Sequence, residues 1–300
     1  MPLTAWSSAH YIFALPAGHR FPVAKYRMLR DRVIADGIVA AEQMRDPPAA
    51  TDDELLLAHT ADYVERFNAG RLDPAEVRRI GLPWSEALVE RSRRAVGGTI
   101  AAARHALAHG VAMNLAGGTH HAFADHGEGF CVYNDIAVTI RLLLRDGLVS
   151  RAAVIDLDVH QGNGTHAILG GDERVFTFSM HGGKNFPFHK VSGSLDIELA
   201  DGTGDDEYLA LLSGVLPGIL SRSAPDIVFY IAGADPHEGD ALGRLSLTFA
   251  GLARRDAYVL SQCREVGIPV AITIGGGYGR RVEDTVAIHA ETARIAASFA

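Results

Sequence analysis

Asp158 and His160 stand two residues apart at the end of an apolar run, in Ile155-Asp156-Leu157-Asp158-Val159-His160-Gln161-Gly162-Asn163-Gly164. Side chains alternate across a strand, so a carboxylate and an imidazole emerge together on one side, as half of a metal site. Asp235, in Ala232-Gly233-Ala234-Asp235-Pro236, offers a third ligand after another apolar run. Three N/O ligands leave a position for water, as in catalytic zinc sites, and ferrous iron suits the same donors. A two-metal centre needs more bridging carboxylates, whereas Gly162 lies two residues after His160 and His237 two after Asp235, so a single ion is expected. Such a site supplies an acidified water and a polarised carbonyl, the two requirements of amide hydrolysis.

His120 and His121 follow two glycines in Gly117-Gly118-Thr119-His120-His121, where the backbone is free to turn sharply and aim both imidazoles into one cavity. Pairing His120 with Asp156 would favour its imidazolium. Pairing His121 with the neutral amide of Asn163 would leave it able to accept a proton near pH 7. On this assignment His121 moves the proton from water to the leaving amine while charged His120 stabilises the site; residue types alone also permit the exchanged roles. Tyr278, in Gly275-Gly276-Gly277-Tyr278-Gly279, is placed to donate its hydroxyl to a developing oxyanion. That glycine run has neither a following Lys-Ser/Thr nor the Gly-x-Gly-x-x-Gly spacing of nucleotide loops, and no Gly-x-Ser-x-Gly elbow occurs, so water is the expected nucleophile. The other histidines, His59, His166, His181 and His289 among them, are expected to be structural or surface groups.

These residues need a scaffold that brings distant segments together. β-rich runs at Val111–Leu115, Ala152–Asp158, Arg174–Met180, Asp226–Ala232 and Pro269–Ile274 alternate with amphipathic helical patterns at Ser92–Ala108, Tyr133–Arg145, Asp205–Leu220, Phe249–Val266 and Val282–Phe299. The rhythm predicts an α/β fold, a single open, mostly parallel sheet flanked by helices on both faces, as one domain over residues 1–300. Nearer the N-terminus, Ala9–Leu15 reads as a strand and Leu29–Arg45 and Asp52–Phe67 as helices. Ligands bind such sheets at the carboxyl ends of the strands, and the candidate residues all follow strand runs.

The 300 residues are 48% hydrophobic and 21% charged, with a formal net charge of -8, which excludes general attraction to nucleic acid as a direct substrate. Two cysteines make no disulfide framework, and no leader or membrane-length apolar stretch is evident, so a soluble cytoplasmic protein is expected. Oligomeric state is unknown at this level.

Together, Gly117–His121, Gly129-Phe130-Cys131-Val132-Tyr133-Asn134-Asp135, Asp156–Gly164, Ala232–Asp235 with Glu238-Gly239-Asp240, and Gly275–Tyr278 resemble the zinc-dependent histone deacetylase family of the arginase/deacetylase superfamily. His19-Arg20-Phe21-Pro22, His59-Thr60-Ala61-Asp62-Tyr63, Gly81-Leu82-Pro83-Trp84 and Asp205-Asp206-Glu207-Tyr208 are similar to its class IV branch and bacterial relatives. The resemblance implies the arginase/deacetylase fold and zinc-dependent hydrolysis of acyl-lysine in a protein or peptide, with an acetyl or longer group removed. An acetylpolyamine or other small N-acyl amine is the alternative substrate, and a non-catalytic acyl-lysine binding module the third reading. It also implies Asp158, His160 and Asp235 as zinc ligands, His120 and His121 as catalytic histidines and Tyr278 as oxyanion donor. Phe130 and Phe186 become tunnel walls, with Gly129 and Gly276 also contacting substrate. A structural potassium ion would lie among Asp156, Asp158, His160, Ser179 and Met180. Two departures stand out: Asn163 replaces the aspartate found behind the second histidine in many relatives, and no rim aspartate is evident between Arg71 and Glu90.

Overall fold

The computed structural model describes residues 2–300. Strands β1 (Ala5–Trp6), β2 (Met44–Arg45), β3 (Val111–Asn114), β4 (Ala152–Asp156), β5 (Val175–Gly182), β6 (Leu195–Leu199), β7 (Ile227–Ile231) and β8 (Val270–Thr273) form one open eight-stranded sheet in the order β2-β1-β3-β8-β7-β4-β5-β6. Every pairing is parallel. The central strands β3, β4, β7 and β8 are buried throughout, which explains why they read as continuous apolar runs rather than as alternating patterns.

Alternate side chains of these strands feed two cores, one on each face. Ala153, Ile155, Val228 and Tyr230 pack on one face, where they meet α1 (Ala24–Ala35), α8 (Asp205–Ser223), α9 (Phe249–Glu265) and α10 (Val282–Ala297). Val154, Ile227, Phe229 and Ile231 point the other way, toward α2 (Asp52–Leu55), α3 (Ala61–Asn68), α4 (Pro74–Ile80), α5 (Glu86–His109), α6 (Asp135–Arg145) and α7 (Asn163–Leu169). Among the described residues no helix is long and apolar enough to cross a membrane.

The N-terminal expectations need correction. Ala9–Leu15 is turn and loop; the first strand is the two-residue β1. The helix expected over Leu29–Arg45 begins at Ala24 and stops at Ala35, after which Gly37 turns at φ 67° and a 3-10 turn leads into β2. Asp52–Phe67 is two helices because Thr51 and Thr60 each cap a new start with their hydroxyls. The edge strand β6 and the short helices α4 and α7 escaped the pattern reading. The central strands also end earlier than their apolar runs, and β4 stops at Asp156.

Candidate active site

Because the strands are parallel, the chain leaves β3, β4, β7 and β8 at one edge of the sheet, and these four are neighbours in it. Asp158 and His160 follow β4 in a bend, not in the strand itself. Their shared direction comes from a local turn in which the His160 backbone N–H donates to Asp158 Oδ1 at 3.0 Å. His160 Nδ1 lies 3.0 Å from that same oxygen and 3.2 Å from Oδ2 of Asp235, which arrives from the loop after β7. The outer oxygens are held in place by backbone N–H groups, Gly276 to Asp158 Oδ2 at 2.6 Å and Val159 to Asp235 Oδ1 at 2.9 Å.

One ligand atom from each of the three residues lies within 4.8 Å of the others, and all three residues are buried. Burial and the Asp158 carboxylate push Asp235 up to about 7. Burial opposes charge on His160, but Asp158 and Asp235 prevail and hold it at about 10. Two desolvated acids converging on an imidazole nitrogen form a donor set suited to a divalent cation. His237 stands apart: its Nδ1 accepts the Gly239 N–H at 3.1 Å and its ring lies 4.4 Å from that of Phe249.

The paired histidines sit beside this cluster on the loop after β3. Their ring centroids are 4.2 Å apart. The loop turns at Gly117 (φ 76°) and Gly118 (φ 71°), and a Cβ on Gly118 would press on the Gly275 backbone. Asp135, at the start of α6, gathers the loop by accepting N–H bonds from Gly118 (3.1 Å) and Thr119 (2.8 Å). His120 Nδ1 is 2.6 Å from Asp156 Oδ2, and His121 Nδ1 is 2.8 Å from Asn163 Oδ1. Burial disfavours both imidazoliums. For His120 the carboxylates of Asp156 and Asp158 overcome it and raise the pKa to about 9. For His121 nothing comparable does, and its charged neighbours His120 and His160 drive it well below the ordinary histidine value.

Tyr278 reaches the cluster from the loop after β8. Its backbone N–H donates to Asp240 Oδ2 at 2.6 Å, and its ring lies 6.2 Å from His160 and 5.8 Å from Phe130. Burial, with Asp235 and Asp158 nearby, holds its phenol well above the usual range, so it is a proton donor at neutral pH. Gly276 is confined by the same cluster, since a Cβ there would overlap the Asp235 carboxylate. Phe186 stands edge-on to His121 with centroids 4.9 Å apart. Gly129, Phe130, Phe186, His121, His160 and Tyr278 share a cavity of about 650 Å³ that opens to the surface. Asp156 and Ser179 are register partners across β4 and β5, and the Ser179 hydroxyl lies 2.9 Å from His181 Nδ1.

Residues 19–293 match the histone deacetylase domain. The chain belongs to the histone deacetylase family. It is 48% identical over 286 residues to an uncharacterized protein of Picosynechococcus sp., with 95% of each chain covered. With histone deacetylase 2 of Arabidopsis thaliana it shares 33% over 270 residues, covering 87% of this chain and 70% of that one. The crystal structure of an HDAC homolog complexed with SAHA superposes with a TM-score of 0.83 at 26% identity, over 98% of this chain and 82% of that one.

In this member of the histone deacetylase family several groups position the site without having been assigned roles from the sequence. Asp135 and Asp240 fix the loops that carry the histidine pair and Tyr278 from behind, and both occur in the family-like motifs, where their residue type was the available signal. Glu128 accepts the Asn163 amide N–H at 2.6 Å, which fixes which way that amide faces His121. Buried Lys25 donates to the Gly277 carbonyl at 3.3 Å, and buried Arg255 donates to the carbonyls of Leu157 (3.2 Å) and Gly233 (2.8 Å). No local pattern marks either cation, because each acts across a large sequence separation.

Proposed function

We propose that this chain is a metal-dependent lysine deacylase, which releases an acyl group, acetyl or longer, from the side-chain amine of lysine. The observation that carries the reading is the juxtaposition of two differently tuned histidines with the Asp158-His160-Asp235 cluster at the base of an aromatic-walled cavity. Those three residues would hold zinc, with ferrous iron an acceptable substitute, and the bound ion supplies an acidified water and a polarised amide carbonyl.

The protein's own groups do the rest. His121 uses Nδ1–H to bond Asn163, which leaves Nε2 as the atom that accepts the water proton and returns it to the lysine nitrogen as the C–N bond breaks. His120 stays charged against Asp156 and steadies the negative charge that develops nearby. The Tyr278 hydroxyl donates to the amide oxygen as it gains charge. Phe130 and Phe186 flank the methylene chain, and the Gly129 carbonyl accepts the substrate amide N–H. Asp156 and Ser179 would join backbone carbonyls among Asp158, His160 and Met180 around a structural potassium ion. The two free, buried cysteines, Cys131 and Cys263, suit a cytoplasmic setting.

Release of free amine from peptides carrying acetyl-, octanoyl- and myristoyl-lysine, beside an acetylated polyamine, tests this with zinc-loaded protein and with Asp158→Ala and Tyr278→Phe controls. Peptide turnover lost in both variants is expected. Turnover of the polyamine alone would overturn the lysine reading, and acyl-lysine binding with no hydrolysis of any substrate would overturn the enzymatic one.

A further inference from the structure

The entrance to the cavity carries the opposite sign of charge from the molecule. The chain as a whole has a formal net charge of -8, yet Arg20, Arg78, Arg79, Lys184 and Arg244 line the mouth, contributed by four separate regions of the sequence. All five are exposed. Lys184 and Arg244 share one acid, Asp201, at 3.8 and 3.6 Å. Arg20, Arg78 and Arg79 have no acidic partner among the described residues, and the acid in the wall, Glu128, is engaged by Asn163.

The arginines are tied to the tunnel. At the end of α4, the carbonyls of Arg79 and Ile80 accept the backbone N–H groups of Gly129 and Phe130 at 3.2 and 2.7 Å, so Arg78 and Arg79 are anchored to the wall that would flank the substrate chain. His19 Nε2, next to Arg20, lies 3.0 Å from the Gly81 carbonyl at the same corner. Phe188, 83% exposed, also lines the mouth and continues the wall from Phe186, their centroids 6.2 Å apart. An aromatic ring held in solvent beside a tunnel mouth offers contact to residues flanking the one inside, which a small amine lacks.

We propose that the substrate is an acyl-lysine set among acidic residues of a peptide or protein segment, whose Asp and Glu side chains meet the arginines of the mouth while the acylated lysine enters the tunnel. This rests on the lysine deacylase reading and specifies its substrate class. Guanidinium groups bond carboxylates through two parallel N–H donors, and a cleft of one sign raises local concentration and association rate for the opposite sign. Basic tails and polyamines are disfavoured by the same field.

The test is kcat and KM for three acetyl-lysine peptides of equal length, with acidic, uncharged and basic flanks, at low and high salt, using zinc-loaded wild type, Arg78→Glu/Arg79→Glu and, as a second variant, Arg20→Glu. The acidic peptide is expected to exceed the basic one in kcat/KM by about tenfold or more, mainly through KM, with the ratio shrinking as salt screens the mouth. The ratio should fall toward unity or invert in the charge-reversed proteins; it is read within each protein, so general loss of activity cancels. Equal or basic preference with good turnover of the uncharged peptide would overturn this inference and leave the deacylase reading standing. Turnover of none of the peptides, with hydrolysis of a small N-acyl amine, would overturn both.

Discussion

Asn163 presents its carbonyl oxygen to Nδ1 of His121 at 2.8 Å, at the place where His120 has a carboxylate, Asp156, at 2.6 Å. Two adjacent imidazoles thereby receive a neutral and an anionic partner. The contrast separates their proton affinities, with His120 held at about 9 and His121 pressed well below the ordinary value by burial and by its charged neighbours. A neutral imidazole and a standing cation are built from the same residue type.

Asn163→Asp therefore changes the pH profile in a defined direction. A carboxylate at His121 Nδ1 favours the imidazolium and raises the pKa, so the neutral, proton-accepting form is lost at a higher pH than in wild type. The acidic limb of kcat/KM should move to higher pH by roughly 1 unit or more. An unmoved acidic limb would remove His121 from the role of base. Glu128, which now accepts from the Asn163 amide, becomes a like-charged neighbour in this variant, and Glu128→Gln added to it should recover stability.

Tyr278→Phe isolates the hydroxyl. Loss of one oxyanion donor lowers kcat by about 10²–10³ with KM little changed, because the bond strengthens only as charge develops on the amide oxygen. Zinc content, measured by elemental analysis, should stay at the wild-type level, since Tyr278 lies outside the Asp158-His160-Asp235 cluster. Loss of metal together with activity would make Tyr278 a structural residue.

Much of the site was legible because each polar group follows a buried apolar strand, and a parallel sheet delivers strand ends to one edge. Asp158 with His160, Asp235, the histidine pair and Tyr278 could be read together for that reason. The local mechanism was less legible: β4 ends at Asp156, and a side-chain turn rather than strand alternation aligns Asp158 with His160. The first ninety residues resisted reading because capping hydroxyls at Thr51 and Thr60 interrupt helical periodicity and because β1 and β2 are two residues each, too short for any period to register. The charge of the entrance was invisible for another reason. Arg20, Arg78, Arg79, Lys184 and Arg244 are scattered along the sequence and become a patch only when the fold collects them.

Metal removal should destabilise the protein as well as silence it. Without a cation, the Asp158 and Asp235 carboxylates share a dry site, and the proximity of Asp158 is one cause of the raised pKa of Asp235. Chelation should lower the unfolding midpoint, and returning zinc at about 100 times its dissociation constant should restore about 2.7 kcal/mol. Gly276→Ala should mimic chelation, because its Cβ would displace the Asp235 carboxylate. The check is scanning fluorimetry with and without zinc; an equal zinc-dependent shift in wild type and Gly276→Ala would show that the cluster tolerates the methyl group.

His59 gives the fold a pH dependence of its own, away from the metal ligands. Its Nδ1 lies 2.9 Å from the Phe123 carbonyl and its Nε2 accepts the Asn134 N–H at 2.9 Å, so the neutral ring satisfies both partners and joins the start of α3 to the loop that precedes α6. Protonation would turn Nε2 into a donor facing a donor. Burial accordingly lowers the pKa from 6.5 to about 4. In the unfolded chain His59 binds a proton below about 6.5, whereas in the folded chain it does so only below about 4. Its contribution is therefore fully present above 6.5 and is lost as pH falls through that window, to a total of about 3 kcal/mol. Urea unfolding of metal-free wild type and His59→Gln at pH 7 and pH 4.5 measures it. The variant should be less stable at pH 7, and the gap between the two proteins should narrow by about 2 to 3 kcal/mol at pH 4.5; parallel pH dependences would show that His59 titrates as an ordinary surface histidine.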